Sequence, residues 1–180
     1  ATLYEPRGVM ADPSGNVYIA DSQHARIRKI DAVTGIITTV VGTSAGFSGD
    51  GGLATAAQIS QSYGVARDGA GNLYIADRFN FRVRKVGAAT GIITTIAGTG
   101  VEGFGGDGGP GTSATFRHLW GIAAASDGTV YVSDYFNHCI RKLTPAGTIS
   151  TVAGTGTVAG FSGDGGPATS ARLNYPTNVT

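Results

Sequence analysis

The sequence predicts an all-β protein, a β-propeller segment built from three four-stranded antiparallel blades. Three observations carry that expectation. The chain repeats itself: "NVYIAD" (16–21), "NLYIAD" (72–77) and "TVYVSD" (129–134) are copies of one segment, spaced 56 and 57 residues apart. Each copy belongs to a set of four short runs rich in Val, Ile, Thr and Tyr, bounded by turn residues, which is how short strands read. The 30 glycines sit between those runs rather than in a collagen triplet or a linker. Tandem units of four antiparallel strands are propeller blades.

Each blade opens with a short run: "RGVMA" (7–11), "YGVAR" (63–67) and "WGIAA" (120–124). Compact turns follow, "DPSGN" (12–16) and "DGAGN" (68–72), in which Gly15 and Gly71 suit positive φ and Gly128 takes the same place in the third copy. After the second strand come "HARIRKI" (24–30), "NFRVRKV" (80–86) and "NHCIRKL" (137–143), and then "TGIITTVVG" (34–42), "TGIITTIAG" (90–98) and "AGTISTVAG" (146–154). The blades therefore cover about 5–42, 61–98 and 118–154, joined by long loops, with a fourth repeat beginning at 171–180. Strand one is expected nearest the axis and strand four at the rim.

The loops carry "GFSGDGG" (46–52), "GFGGDGG" (103–109) and "GFSGDGG" (160–166). "GTGVEG" (98–103) and "GFGGDG" (103–108) match a dinucleotide fingerprint, but no crossover helix or parallel strand accompanies them. No Lys–Ser or Lys–Thr pair follows to make a P-loop, and one acid per loop is too few for calcium. The loops are expected to be structural connectors. Phe47, Phe104 and Phe161 would anchor each loop against its blade, and Asp50, Asp107 and Asp164 would accept hydrogen bonds from neighbouring loop amides. The stretches "ATAAQI" (54–59), "TSATF" (112–116) and "ATSARL" (168–173) would form short helical turns.

An opening Gly-Val strand, "N-x-Y-I-A-D", "N-x-R-[IV]-R-K" and "G-F-x-G-D-G-G-P-A" together resemble NHL repeats, and the resemblance runs along essentially the whole chain. It implies a propeller that is usually six-bladed and serves mainly as a platform for protein or RNA, with some related propellers being metal-dependent lyases.

Three blades do not close a ring, which needs about 4–8, and they leave two apolar faces open to water. Two copies joined head to tail give six blades with twofold symmetry, so a homodimer is expected. Residues 171–180, "ARLNYPTNVT", repeat the phase of residues 1–10, "ATLYEPRGVM", so both segments would compete for one innermost-strand position in such a ring. Either one end is displaced or the chain belongs to a longer propeller.

Function is read from positions that vary between copies. Arg7, Tyr63 and Trp120 open the first strands, with Glu5, Gln61 and His118 two residues before them. The turns between strands two and three are "SQHA" (22–25), "RFNF" (78–81) and "YFNH" (135–138). Arg7, Tyr63, Arg78, Phe79, His118, Trp120, Tyr135, Phe136 and His138 are therefore expected to form a surface on one face that takes a protein or peptide partner. No catalytic constellation of nucleophile and base stands out, so a non-enzymatic binding or structural scaffold is expected. A piece of a larger secreted lyase-like propeller and an engineered repeat without ligand are the competing readings.

Other classes are disfavoured on composition. Net charge is +1, and the eight strand-three cations (Arg26, Arg28, Lys29, Arg82, Arg84, Lys85, Arg141 and Lys142) recur once per blade, so they are expected to point outward, locally paired or solvated, and RNA is disfavoured. His24, His118 and His138 occupy non-equivalent positions, so neither metal nor cofactor is expected. The lone Cys139 sits inside a strand and is expected to be packed rather than reactive. Apolar runs are far shorter than the roughly 20 residues of a membrane-spanning helix. The chain starts at Ala1 without a visible signal peptide, as an excised or processed piece would, and an extracellular or periplasmic setting is slightly favoured.

Overall fold

Alternating side chains give each strand two faces, and in this chain the two faces serve different neighbours. The computed structural model describes residues 1–180. It contains twelve strands in three four-stranded antiparallel sheets, each in simple sequential order. Blade one comprises β1 (Pro6–Ala11), β2 (Val17–Asp21), β3 (Arg26–Ile30) and β4 (Ile37–Val41). Blade two comprises β5 (Gly64–Arg67), β6 (Leu73–Asp77), β7 (Arg82–Val86) and β8 (Ile93–Ala97). Blade three comprises β9 (Leu119–Ala124), β10 (Val130–Asp134), β11 (Cys139–Leu143) and β12 (Ile149–Ala153). Single 3-10 turns form at Ala54–Ala56, Gly111–Ser113 and Ala168–Ser170, where the loops were expected to coil.

Two cores hold the blades together. Tyr18, Ala20, Ile27 and Val41 of blade one meet Val65, Leu73, Ile75, Val86 and Ile93 of blade two. The other face of blade two gives Ala66, Tyr74, Ala76, Val83 and Ala97 to Leu119, Ile122, Val130, Val132, Leu143 and Ile149 of blade three. Consecutive residues Leu73, Tyr74, Ile75 and Ala76 thus alternate between two cores. Each large apolar side chain buried this way contributes about 1.5–3 kcal/mol.

The innermost strands β1, β5 and β9 lie side by side, and glycine sets their spacing. A Cβ on Gly8 would lie 2.5 Å from the Tyr63 carbonyl oxygen, and one on Gly64 would lie 2.7 Å from that of Trp120. The third glycine repeats the arrangement against the C-terminal segment, since a Cβ on Gly121 would lie 2.7 Å from the Asn178 Cα. Residues 174–180 therefore take the innermost position of a fourth blade, although they form no strand. Their backbone agrees: Glu5, Gln61, His118 and Tyr175, equivalent in the four repeats, all adopt left-handed φ of 47°, 43°, 58° and 49°. That recurrence outside glycine is strain held by the fold, and it turns each chain segment into its inner strand.

Candidate binding face and the joints between blades

Two features built from the repeat recur at fixed places, a joint at each blade boundary and an aromatic cluster at one end of the inner strands. The joint begins with the glycine loop. Gly51 N–H donates to the Ile93 carbonyl (2.9 Å), Ile93 N–H to Gly52 (3.0 Å) and Ala54 N–H to Gly91 (2.9 Å), so the first loop runs along the rim strand β8 of the next blade. The second loop does the same on β12, through Gly108 to Ile149 (2.8 Å), Ile149 to Gly109 (3.0 Å) and Gly111 to Gly147 (2.7 Å).

The conserved spacing of Phe and Asp in the loop completes the joint. Arg84 of β7 is fully buried and donates to Asp50 (2.8 Å) and to the Ser48 carbonyl (3.1 Å), while Thr95 donates to the other Asp50 oxygen (2.7 Å). Arg141 of β11 is buried likewise and donates to Asp107 (2.7 Å) and the Gly105 carbonyl (3.0 Å). Phe47 lies 3.8 Å from the Arg82 guanidinium and 4.9 Å from that of Arg84, and Phe104 lies 5.2 Å from that of Arg141. These contacts correct two expectations. Asp50 and Asp107 bind no amide of their own loops; each reaches across to the next blade, because a desolvated guanidinium there needs a carboxylate. In the third loop Asp164 makes no such contact, and Phe161, 88% exposed, is not anchored on a blade. The strand-three cations do not all point outward: strand alternation puts Arg84 on the face of Ile75 and Val86, and Arg141 on that of Val132 and Leu143. The bulge beside each lies on the neighbouring strand, at Ile96 and Val152. Arg26 and Arg82 also spend their guanidinium donors locally, on the Thr43 and Thr99 carbonyls (2.7 Å each).

The same arginines meet the acids that end strand two. Arg84 lies 3.4 Å from Asp77 and Arg141 lies 3.5 Å from Asp134, all four side chains being fully buried. Burial pushes both carboxyls up to about 6, against the hydrogen bonds from Ser60 and Arg117 amides and from Asn80 and Asn137 that favour the charged form.

The positions singled out for their variability converge. Trp120 stacks on Tyr135 at 4.2 Å and 9°, and Tyr63 meets Trp120 edge-on at 5.0 Å. Tyr135 touches Phe136 (4.9 Å), Phe136 touches His118 (5.2 Å), and His118 touches Phe79 (4.9 Å). The Arg78 guanidinium sits over Tyr63 (4.3 Å), Phe79 (4.5 Å) and Trp120 (5.3 Å), and Arg7 over Tyr63 (5.2 Å). His138 joins through Tyr175 at 4.5 Å. Tyr175 also touches Tyr135 and Phe136, and Phe81 touches His118; both were absent from the expected surface. The phase match of residues 171–180 with 1–10 was the signal for Tyr175, because it falls in register with His118. Beside the cluster lies a groove of about 610 Å³ whose walls are the inner strands and Thr177–Thr180.

Electrostatically the cluster is cationic. Arg7 pairs with Glu5 (2.9 Å), but Arg78 has no carboxylate partner, and burial lowers its pKa. Burial also lowers His118 and His138 below the ordinary imidazole value, and His138 Nδ1 accepts from the Tyr175 amide (3.2 Å). His24 is elsewhere, bonded to Asp21 at 2.9 Å. No group of three or more His, Cys, Asp or Glu side chains is placed to hold a metal ion. Cys139 is buried and its thiol is pushed up to about 12, mainly by burial, as suits a packed residue.

The family model described as NHL repeat matches residues 3–30 and 116–143, spanning the first three strands of blades one and three. The chain carries NHL repeats. Among curated relatives, this NHL-repeat chain is 30% identical over 147 residues to Protein SUPPRESSOR OF QUENCHING 1, chloroplastic, of Arabidopsis thaliana, and 29% identical over 146 residues to NHL repeat-containing protein 2 of Homo sapiens. These alignments cover 77% and 73% of the chain but only 14% and 19% of the relatives. Among solved structures, a structural genomics protein of unknown function from Bacteroides thetaiotaomicron superposes with a TM-score of 0.73 at 25% identity. That match covers 97% of the NHL-repeat chain and 42% of the other chain.

Proposed function

We propose that this chain is a non-enzymatic binding scaffold, a set of three NHL blades that pairs with a second copy to close a six-bladed ring and offers the aromatic face to a peptide or protein. The observation that carries the reading is the convergence of Arg7, Tyr63, Arg78, His118, Trp120, Tyr135 and their neighbours at one end of the inner strands. Rigid aromatic planes give large contact area at low entropic cost, and arginine among aromatics is a frequent anchor at interfaces. Arg78 lacks an acid of its own, so the face favours a peptide that brings a carboxylate together with an apolar or aromatic side chain.

Trp120 is the only tryptophan, which makes its fluorescence a direct report of the site. A panel of peptides ending in an aromatic residue, with free or amidated C-termini, tests the reading. Binding by the free acids that quenches Trp120 emission and vanishes in Arg78→Ala supports it. Equal signals from wild type and Arg78→Ala, or none from any peptide, contradict it.

A further inference from the structure

Both internal joints are complete, and the chain carries the two halves of a third one, unpartnered, at its opposite ends. We propose that a second copy of this chain completes that joint, the loop 160–172 of one copy docking on the outer face of blade one of the other, with Asp164 paired to Arg28 and Phe161 stacked beside it. The inference rests on the ring closure proposed above and names the groups that perform it.

The loop half is already shaped. Ser162 bridges Arg172 as Ser48 bridges Gln58 and Gly105 bridges Thr115. Gly154 N–H donates to Ala168 (2.9 Å), as Gly42 does to Ala54 and Gly98 to Gly111, and Gly160 N–H donates to Leu173 (3.1 Å), as Gly103 does to Phe116. A loop that keeps its bound shape when free loses little entropy on docking. Yet its contact groups face water. Asp164 is exposed without any hydrogen-bond or ion-pair partner. Phe161 is 88% exposed, whereas Phe47 and Phe104, seated on their arginines, are 42% and 38% exposed.

The receiving half is equally unfinished. Arg28 stands where Arg84 and Arg141 stand, beside the same bulge, but it meets only Asp21 at 3.5 Å and no loop. The outer face of blade one presents Val9, Val17, Ile19, Ile30 and Ile37, the register equivalents of the buried Val65, Leu73, Ile75, Val86 and Ile93. Val9 is 70% exposed. The outer face of blade three presents Tyr131, Ile140 and Ala153, equivalents of Tyr18, Ile27 and Val41, which fill the other side of the first core. Gly165, Gly166 and Ala168 would bond Ile37 and Gly35 of the second copy as the earlier loops bond β8 and β12.

One segment must move. Residues 174–180 hold the place that β1 of the second copy needs, and β1 is the better holder. It pairs with β2 through Ala11, and Asp21 accepts the Tyr4 amide at 2.8 Å, whereas the C-terminal segment makes no strand pair. The C-terminal residues are therefore the ones displaced on closure.

Sedimentation equilibrium on the full chain, Asp164→Ala, Arg28→Met, the double variant, and a chain ending at Leu173 tests this. Asp164 is exposed, so its removal leaves each copy folded. The expected result is a dimer weakened at least tenfold by either single variant, no further by the double, and tightened by the truncation. A dimer indifferent to Asp164 and Arg28, or one in which the two losses add independently, overturns the joint while leaving closure standing. A monomer throughout, including the chain ending at Leu173, overturns closure itself.

Discussion

Arg84 and Arg28 occupy the same place in two blades, and replacing each by methionine separates what the joint contributes from what the blade contributes. In Arg84→Met the aliphatic volume is kept, but Asp77 loses its buried cation, the Ser48 carbonyl loses a donor and Asp50 keeps only the Thr95 hydroxyl. Removing one member of a buried ion pair costs about 3–5 kcal/mol, chiefly through the charge left behind. In Arg28→Met the only partner lost is Asp21, which keeps the Tyr4 amide and His24, and the Arg28 side chain is already 15% exposed. That loss is about 1 kcal/mol. Urea unfolding followed by Trp120 emission, at protein concentrations where the chain is monomeric, should show a midpoint shift several times larger for Arg84→Met. Equal shifts would refute the reasoning, because they would mean that the loop acid and carbonyl add nothing to the buried guanidinium.

Other outcomes follow from the same geometry. Gly64→Ala places a methyl 2.7 Å from the Trp120 carbonyl and should cost about 1–3 kcal/mol in thermal or urea unfolding, whereas Gly121→Ala meets only the C-terminal segment and should cost less. The Asp134 carboxyl, raised by burial to about 6, contributes stability that is complete below the ordinary value of 3.8 and is lost as pH rises through about 6. Asp134→Asn should therefore gain on wild type across pH 4 to 6, by at most about 3 kcal/mol. Asp12, held low by the Asn16 side chain, loses its contribution only below that window. Asp77, raised to about 6 by burial, acts in the same sense as Asp134, and His118 and His138, lowered by burial, act in the opposite sense, but all three are present in both proteins and drop out of the difference. Trp120→Ala and Arg78→Ala should leave strand content by circular dichroism unchanged while removing peptide-induced signals at the face.

The strands were legible because their signal is local: period-two patterning, β-branched residues and glycine turns mark each one, and three copies confirm the marks. The variable positions of the face were legible for a related reason, since a scaffold that repeats makes its departures visible. The joints were not. Asp50 and Arg84 are 34 residues apart, and although alternation puts Arg84 on the face of Val86, nothing in either segment says that a loop acid will meet it there. Charge spacing alone favoured local pairing of strand-two acids with strand-three bases, which is only part of what Asp77 and Arg84 do. The place of Tyr175 in the cluster was present in the repeat phase, since residues 171–180 read as the start of a fourth repeat, but its aromatic ring had to be carried to the position of His118 to count it in the face.

The mass of the full chain in solution tests the central claim most directly. Sedimentation equilibrium across low to high micromolar concentrations should give a species of about twice 18.2 kDa that dissociates on dilution and more readily in Asp164→Ala. A single 18.2 kDa species over that whole range, for the full chain and for the chain ending at Leu173, would contradict it.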